Sequence, residues 1–320
     1  MIRDLKRSLF VLFLLLCAAM ILATIKGTVN IPVADLFLKE NQPILNMRLL
    51  RILAAILTGG GLAVAGIALQ AILRNPLAEP YLLGTSSGAG LAAVIAVILG
   101  ISRLYMPLAA FLGAVASILI VYNLSRENEK ICDKSLILSG VIISVAFSSI
   151  IVFLVSLFGN EAMHEMNWWL WGSLQVYDYK LVLLVAIPVL LGIFVIYLFA
   201  QDLNAISMGE EEAIHLGIDT QNIKKLLILI SALITASLIS ICGIIGFVGL
   251  IVPHMMRSIV GPNHKILIPT TCLAAAIFML GCDLISRTFF GPLEIPIGVI
   301  TAIIGAPVFI ILLKRKKKAT

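Results

Sequence analysis

Apolar stretches roughly as long as a bilayer is thick recur along this chain, and they leave it few ways to fold. Inside hydrocarbon every backbone N–H and C=O must find its partner within the protein, and an α-helix does so within its own segment. About 20 apolar residues are needed per crossing. Stretches that qualify lie near residues 8–25, 52–73, 82–99, 104–124, 136–157, 181–200, 226–245, 247–260, 266–280 and 297–313. The expected fold class is therefore an all-α integral membrane protein, with about ten transmembrane helices in a single domain over residues 1–320. Composition agrees: 12% of residues are charged and mean hydropathy is +1.10, against about 25% charged in soluble domains. The eighth stretch, 247–260, is too short to cross as a regular helix. It follows Gly243, Gly246 and Gly249 and contains Pro253, so a broken or partial helix is expected there.

Charge orients the bundle. With the N-terminus inside and ten alternating crossings, the inner segments hold 16 of the 23 lysines and arginines, including Arg74, Lys134, Lys224, Arg257 and the tail Lys314–Lys318. The outer segments hold Lys26, Lys39, Arg48, Arg51, Arg103, Lys180 and Arg287. That bias follows the positive-inside rule and places both termini in the cytoplasm. These basic residues sit at the ends of apolar runs rather than on a polar face, which argues against a nucleic-acid partner. Residues 8–25 read as an uncleaved first span, since Leu16 precedes Cys17 where a lipoprotein signal would need a small residue. The five cysteines (Cys17, Cys132, Cys242, Cys272 and Cys282) show no paired spacing and read as small hydrophobes. No metal site is expected.

Residues 201–225 form a polar island between long apolar runs. Glu210, Glu211 and Glu212 precede Ala213, Ile214, Leu216 and Gly217, a pattern for a short amphipathic helix with acids at its positive end and a glycine closing it. Charge counting puts this loop in the cytoplasm, where it is either a solvated connection or a docking element for a soluble partner. The chain has no G-x-x-x-x-G-K-[ST] phosphate cradle, so any ATP-driven motor must be a separate subunit. Two further features interrupt the apolar pattern. Asn75, Pro76 and Pro80 break the chain after the second span, with Gly84 and Gly88 in small-xxx-small spacing beyond. Such a break is either a tight turn feeding a close-packed helix or part of a substrate site. The second interruption runs through Gly249, Pro253 and His254, where the histidine reads as a structural hydrogen-bonding group. Each half of the chain thus has a long span, a break and a shorter span, in opposite orientation, as inverted repeats do.

Several pieces together resemble the permease subunits of ABC importers for iron–siderophores, haem and cobalamin, the FecCD-type family. They are Arg48-Leu49-Leu50-Arg51, Gln70 with Asn75-Pro76-Leu77-Ala78-Glu79-Pro80, Leu83-Gly84, Gly209-Glu210 with Leu216-Gly217, Gly246-Phe247-Val248-Gly249-Leu250 with Pro253-His254, and Pro296-Ile297-Gly298 with Gly305-Ala306-Pro307. Their order and spacing match the family's over nearly the whole chain. The resemblance implies a type II ABC importer permease with ten spans per subunit and two inverted pseudo-repeats. It also implies a second permease subunit around one central pathway, two cytoplasmic ATPase subunits and an extracytoplasmic binding protein. On it, Gly209, Glu210, Glu211, Glu212, Ala213, Leu216 and Gly217 couple to the ATPase, while Arg48, Arg51 and Arg287 face the binding protein. The pathway is implied along the fifth and tenth spans, at Asp133, Lys134, Ser135, Ser139, Gly140 and Ser144 and at Gly298, Thr301 and Gly305. Charged Asp133 and Lys134 depart from a gate of small polar residues.

The expected function is translocation of a bulky chelate across the cell membrane by alternating access, with no covalent chemistry and no cofactor in this chain. The alternative is an ion-gradient-driven secondary transporter. That class calls for ionisable residues in mid-span, and only Asp283 and Glu294 come near, at the outer edge.

Overall fold

A computed structural model describes residues 2–29, 31–36, 38–127, 130–158, 170–289 and 294–318. The side chains of Arg3, Lys6, Arg103, Lys130 and Lys314–Lys318, part of the charge count above, lie outside the described residues. Twelve α-helices are described: α1 (Ile2–Ile25), α2 (Gln42–Ile72), α3 (Thr85–Ile98), α4 (Met106–Leu124), α5 (Asp133–Phe158), α6 (Tyr179–Leu198), α7 (Ala200–Met208), α8 (Glu210–His215), α9 (Thr220–Cys242), α10 (Val248–Val260), α11 (His264–Thr288) and α12 (Ile297–Lys318). A two-residue antiparallel ribbon, β1 (Arg126–Glu127) with β2 (Lys130–Ile131), joins α4 to α5. Seven of these helices are long and apolar enough to cross a membrane, and three shorter apolar helices, at Thr85–Ile98, Val248–Val260 and Ile297–Ile311, bring the set to ten.

The fold is built round α2, which is about 46 Å long at 1.5 Å per residue. From Thr58 to Leu73 every residue of the chain is buried. A helix of Ala, Gly, Leu, Ile and Val on all sides belongs in the centre of a bundle, and here α6, α9, α10 and α11 pack round it. Small residues let the backbones close up. A Cβ on Gly66 would run into the Gly249 carbonyl of α10, and one on Gly59 into the Ala275 carbonyl of α11. α3 packs on α4 and α5, α1 on α11, and α12 on α10 and α11.

The order long helix, break, short helix, long helix, long helix occurs twice, as α2–α3–α4–α5 and as α9–α10–α11–α12. The leading helices run antiparallel: Thr58, midway along α2, donates to Cys242 Sγ at the end of α9 (3.4 Å), and Gly61, further along α2, faces Leu238 and Ile234, earlier in α9. Helix bounds depart from hydropathy where charges have partners. α2 begins ten residues before the expected 52 because, inside the protein, Arg48 is hydrogen-bonded to backbone carbonyls and Arg51 is paired with a carboxylate. α11 continues past 280 for the same reason, at Asp283 and Arg287. α9 stops at Cys242 because Gly243 adopts φ +68°. The polar island is largely helical, in α7, α8 and the first turn of α9, with Gly217 at φ +78° between them.

Helix α10 is a partial helix of 13 residues rather than a broken one. It is continuous through Pro253, and the break precedes it, at residues 243–247. Proline at 253 cannot bond the Gly249 carbonyl. Gln70 Nε2 of α2 donates to that carbonyl instead (3.2 Å), while Arg257 Nη1 donates to Gln70 Oε1 (3.2 Å).

Candidate functional site

Charged side chains gather at both ends of α2. At one end, Lys224 of α9 has only 1% of its surface exposed. Its ammonium donates to Glu210 Oε2 (2.7 Å) and to Asp133 Oδ1 and Oδ2 (3.0 and 3.3 Å). Arg74, just beyond α2, lies 3.6 Å from Asp133. Gln221 donates to Glu210 Oε1 (2.9 Å) and accepts from the Ile131 N–H (3.0 Å), and Thr220 also donates to Glu210. Burial alone would push the Glu210 carboxyl up, but the hydrogen bond and charge of Lys224, with Gln221 and Thr220, hold it below the usual carboxylate range. Ala205, Ile206 and Ala213 make a small apolar core beneath α8. The outer side of this region is different. Met208 is 78% exposed, Leu216 70% and Ile214 57%, with Glu211, Glu212 and Gly217 exposed beside them.

At the other end, Asp283 is fully buried between Arg51 (2.5 Å) and Arg287 (3.0 Å), and Arg51 also pairs with Glu294 (2.8 Å). Glu294 accepts from Thr28 and Gln175 as well. Burial would raise its pKa, but Arg51 and these donors keep it below the ordinary value. Arg48 and Arg287 are 5% and 3% exposed. Arg48 donates to the carbonyls of Thr24, Ile25 and Val29, and Arg287 to that of Ala23. The last carbonyls of a helix have no partner within it, and cations there also suit the helix dipole. These two arginines therefore cap α1. The sequence placed them at this end but gave no sign of the capping, because the α1 carbonyls that need donors carry no side-chain signature. A pocket of about 210 Å³ opens here, lined by Thr28, Arg48, Arg51, Gln175, Arg287 and Glu294 among others.

Between the two ends the breaks of the halves meet. Glu79 accepts from the Phe247 N–H (2.8 Å), holding a non-glycine residue at φ +70°. Tyr81 Oη donates to the Ile245 carbonyl and accepts from the Ile245 N–H, and Pro80 packs against Gly249. Asn75 Oδ1 accepts from the Leu77 N–H, starting the turn that ends at Gly84 with φ +76°. Pro76 and Pro80 fall within that turn. His254 lies edge-on to Phe309 of α12, with ring centres 6.2 Å apart.

The implied pathway residues divide. Ser139 and Gly140 are buried, and Gly140 abuts the Leu82 carbonyl. Gly298 donates its N–H to Trp171, Thr301 is fully buried, and Gly305 faces Ile251 and Phe247. In this conformation these residues look into the chain's own interior. Asp133 is held in the ion cluster, Ser135 is half-buried and Lys134 is exposed. Ser144 sits with Val145, Ser148, Ser149 and Val152 on a shallow open face of α5. None of the most apolar 18-residue window of α5 is buried, against 89% for that of α2. Among the described residues no cluster of His, Cys, Asp and Glu could hold a metal ion.

A bundle of membrane-length helices, with inverted halves joined at their breaks and ion clusters at both ends, defines a multi-pass membrane permease. The model of the FecCD transport family matches residues 11–315, and the chain belongs to that family. It is 37% identical over 272 residues to the cobalamin import system permease protein BtuC of Halobacterium salinarum, covering 85% of this chain and 73% of that one. It is likewise 37% identical over 277 residues, 86% of each chain, to the Fe(3+) dicitrate transport system permease protein FecD of Escherichia coli. A solved metal-chelate type ABC transporter in an inward-facing conformation matches with a TM-score of 0.87 at 33% identity, covering 97% of this chain and 99% of that one. The chain is a permease of the ABC importer kind.

Proposed function

We propose that this chain is the membrane subunit of an ATP-driven importer that carries an iron chelate, with haem or cobalamin as the related cargoes. It lies in the cell membrane with both termini and the Lys224 end in the cytoplasm. The observation that carries the reading is the patch Met208, Ile214 and Leu216 beside Glu211 and Glu212. Large exposed apolar side chains at a polar end, rather than on a lipid-facing flank, mark a protein-docking surface. An ATPase subunit docks there on α8, within the loop 201–225 and centred on residues 209–217. A second permease subunit packs against the open serine-bearing face of α5, and the cargo passes between the two subunits. The extracytoplasmic binding protein docks over the Arg51 end. There Arg51, whose partner Glu294 is the more exposed carboxylate, is the arginine free to exchange partners, while Arg48 and Arg287 shape the pocket.

The relatives named for cobalamin and for ferric dicitrate support a bulky chelate as cargo. So does the lack of a mid-membrane carboxylate pair among the described residues. The test is reconstitution with the ATPase and binding protein, measuring ATP-dependent uptake of ferric citrate, haemin and cobalamin. ATP-dependent accumulation of one of the three is expected. Uptake that follows an imposed ion gradient without ATP refutes the proposal.

A further inference from the structure

The Lys224 cluster does more than neutralise charge. It joins two parts of the permease that are far apart in sequence, α8 and the first residue of α5. Both oxygens of Glu210 are committed, Oε2 to Lys224 and Oε1 to Gln221. Both of those side chains lead on to the start of α5, Lys224 to Asp133 and Gln221 to the Ile131 N–H. Residues 221 and 224 are three apart and so share one face of α9. Two short links therefore run side by side from α8, across α9, to residues 131–133. The buried ammonium holds both carboxylates at hydrogen-bond distance, and parting it from either would weaken the compensation of a charge kept away from water. A displacement of α8 is then carried to Asp133 rather than absorbed.

We infer that Lys224, with Gln221 beside it, is the positioning residue that transmits movement of α8 to the pathway end of α5. The inference rests on the reading of α8 as the ATPase dock. Arg74, just beyond α2, also lies 3.6 Å from Asp133.

The test uses the complete importer in proteoliposomes, carrying Lys224→Met or Lys224→Arg. Methionine keeps the apolar stem and removes the charge, while Asp133 retains Arg74 and Glu210 retains Gln221 and Thr220. Coupling contacts of this kind shift function by about tenfold. Basal ATP hydrolysis in Lys224→Met should therefore stay within about twofold of wild type, while uptake of ferric citrate, haemin or cobalamin per ATP falls about tenfold. Lys224→Arg should restore most of that loss. Normal uptake per ATP in Lys224→Met overturns the inference, and so does loss of ATPase binding in that variant, which would make Lys224 part of the dock.

Should Lys224→Met fail to insert, hydrogen exchange on the wild-type complex decides. Trapping with ATP and vanadate must change protection at residues 210–216 and 132–138 together, and a change confined to 210–216 overturns the link. A wild-type complex that shows no ATP-dependent uptake overturns the importer reading itself. That failure is distinct from one in which wild type and Lys224→Met are coupled alike.

Discussion

Asp283→Asn should be the most damaging single change at the Arg51 end. Its side chain is wholly buried and serves two arginines, Arg51 at 2.5 Å and Arg287 at 3.0 Å. The cluster of Arg48, Arg51, Arg287, Asp283 and Glu294 carries net +1, and the substitution raises this to +2 in a dehydrated site. Removing one member of a buried ion pair costs roughly 3–5 kcal/mol, since the partner charge stays behind. Two partners push Asp283 up that range, while Glu294 and the Ala23 carbonyl retain some hold on the arginines and bring the cost back to its middle. A loss of about 4 kcal/mol multiplies the unfolded fraction by about a thousand.

Arg287→Met should cost less, because Asp283 keeps Arg51. Glu294→Gln should cost least, because Glu294 is 21% exposed and water can replace part of the pairing. The buried thiols of Cys242 and Cys282 supply the assay: labelling by a thiol-reactive fluorophore on heating in detergent reports loss of the fold. The order of destabilisation is Asp283→Asn, then Arg287→Met, then Glu294→Gln. Equal stability of Asp283→Asn and Glu294→Gln would refute the account of Asp283 as the shared counter-charge.

Three further outcomes can be measured. Gly66→Ala should destabilise by roughly 1–3 kcal/mol, as an overpacked core does, because its Cβ meets the Gly249 backbone. Gly281→Ala, with nothing within 4 Å of the added carbon, should be tolerated in the same thermal assay. Replacing Met208, Ile214 and Leu216 together by aspartate should abolish co-purification of the ATPase while leaving the thermal transition unchanged, since all three are exposed. Acid should loosen the Arg51 end. The depressed pKa of Glu294 means its contribution to stability is complete above the ordinary carboxylate pKa of about 4.3 and disappears as pH falls through the lower folded value. A Glu294→Gln protein should accordingly lack that step in an acid titration of its melting temperature.

The number of helices and the two breaks were readable because hydrocarbon enforces helix and because Gly and Pro mark interruptions locally. The family motifs brought out Gln70, but its role needed the structure: it replaces a hydrogen bond that Pro253 removes, from a residue 179 positions away. The arginines show the same limit. Residue type and span ends told which face Arg48, Arg51 and Arg287 occupy, yet two of them are spent on the end of α1. A charge reversal at Arg48 should therefore unfold this end, where sequence alone foretold only weaker docking. Lys224 was counted as one more inner positive charge, since nothing local to it foretells two carboxylates from residues 14 and 91 positions away. Small residues were ambiguous for a related reason. The same Gly and Ser that can line a passage also let neighbours close in: Gly140 and Gly298 admit another backbone, and Gly305 admits the side chains of Ile251 and Phe247.

Helix α2 is anchored at both ends, by Arg48 and Arg51 to α1 and α11 and by Arg74 to the start of α5. From Arg51 to the end of α2 at Ile72 is about 32 Å of helix, close to the hydrocarbon thickness of a bilayer. A lone helix relieves hydrophobic mismatch by tilting. This one, buried at the centre of the bundle and held at both ends, cannot tilt on its own, so lipids must stretch or thin to meet the helices packed round it. The permease should therefore be sensitive to acyl-chain length, with thicker bilayers pressing hardest on the two ion clusters.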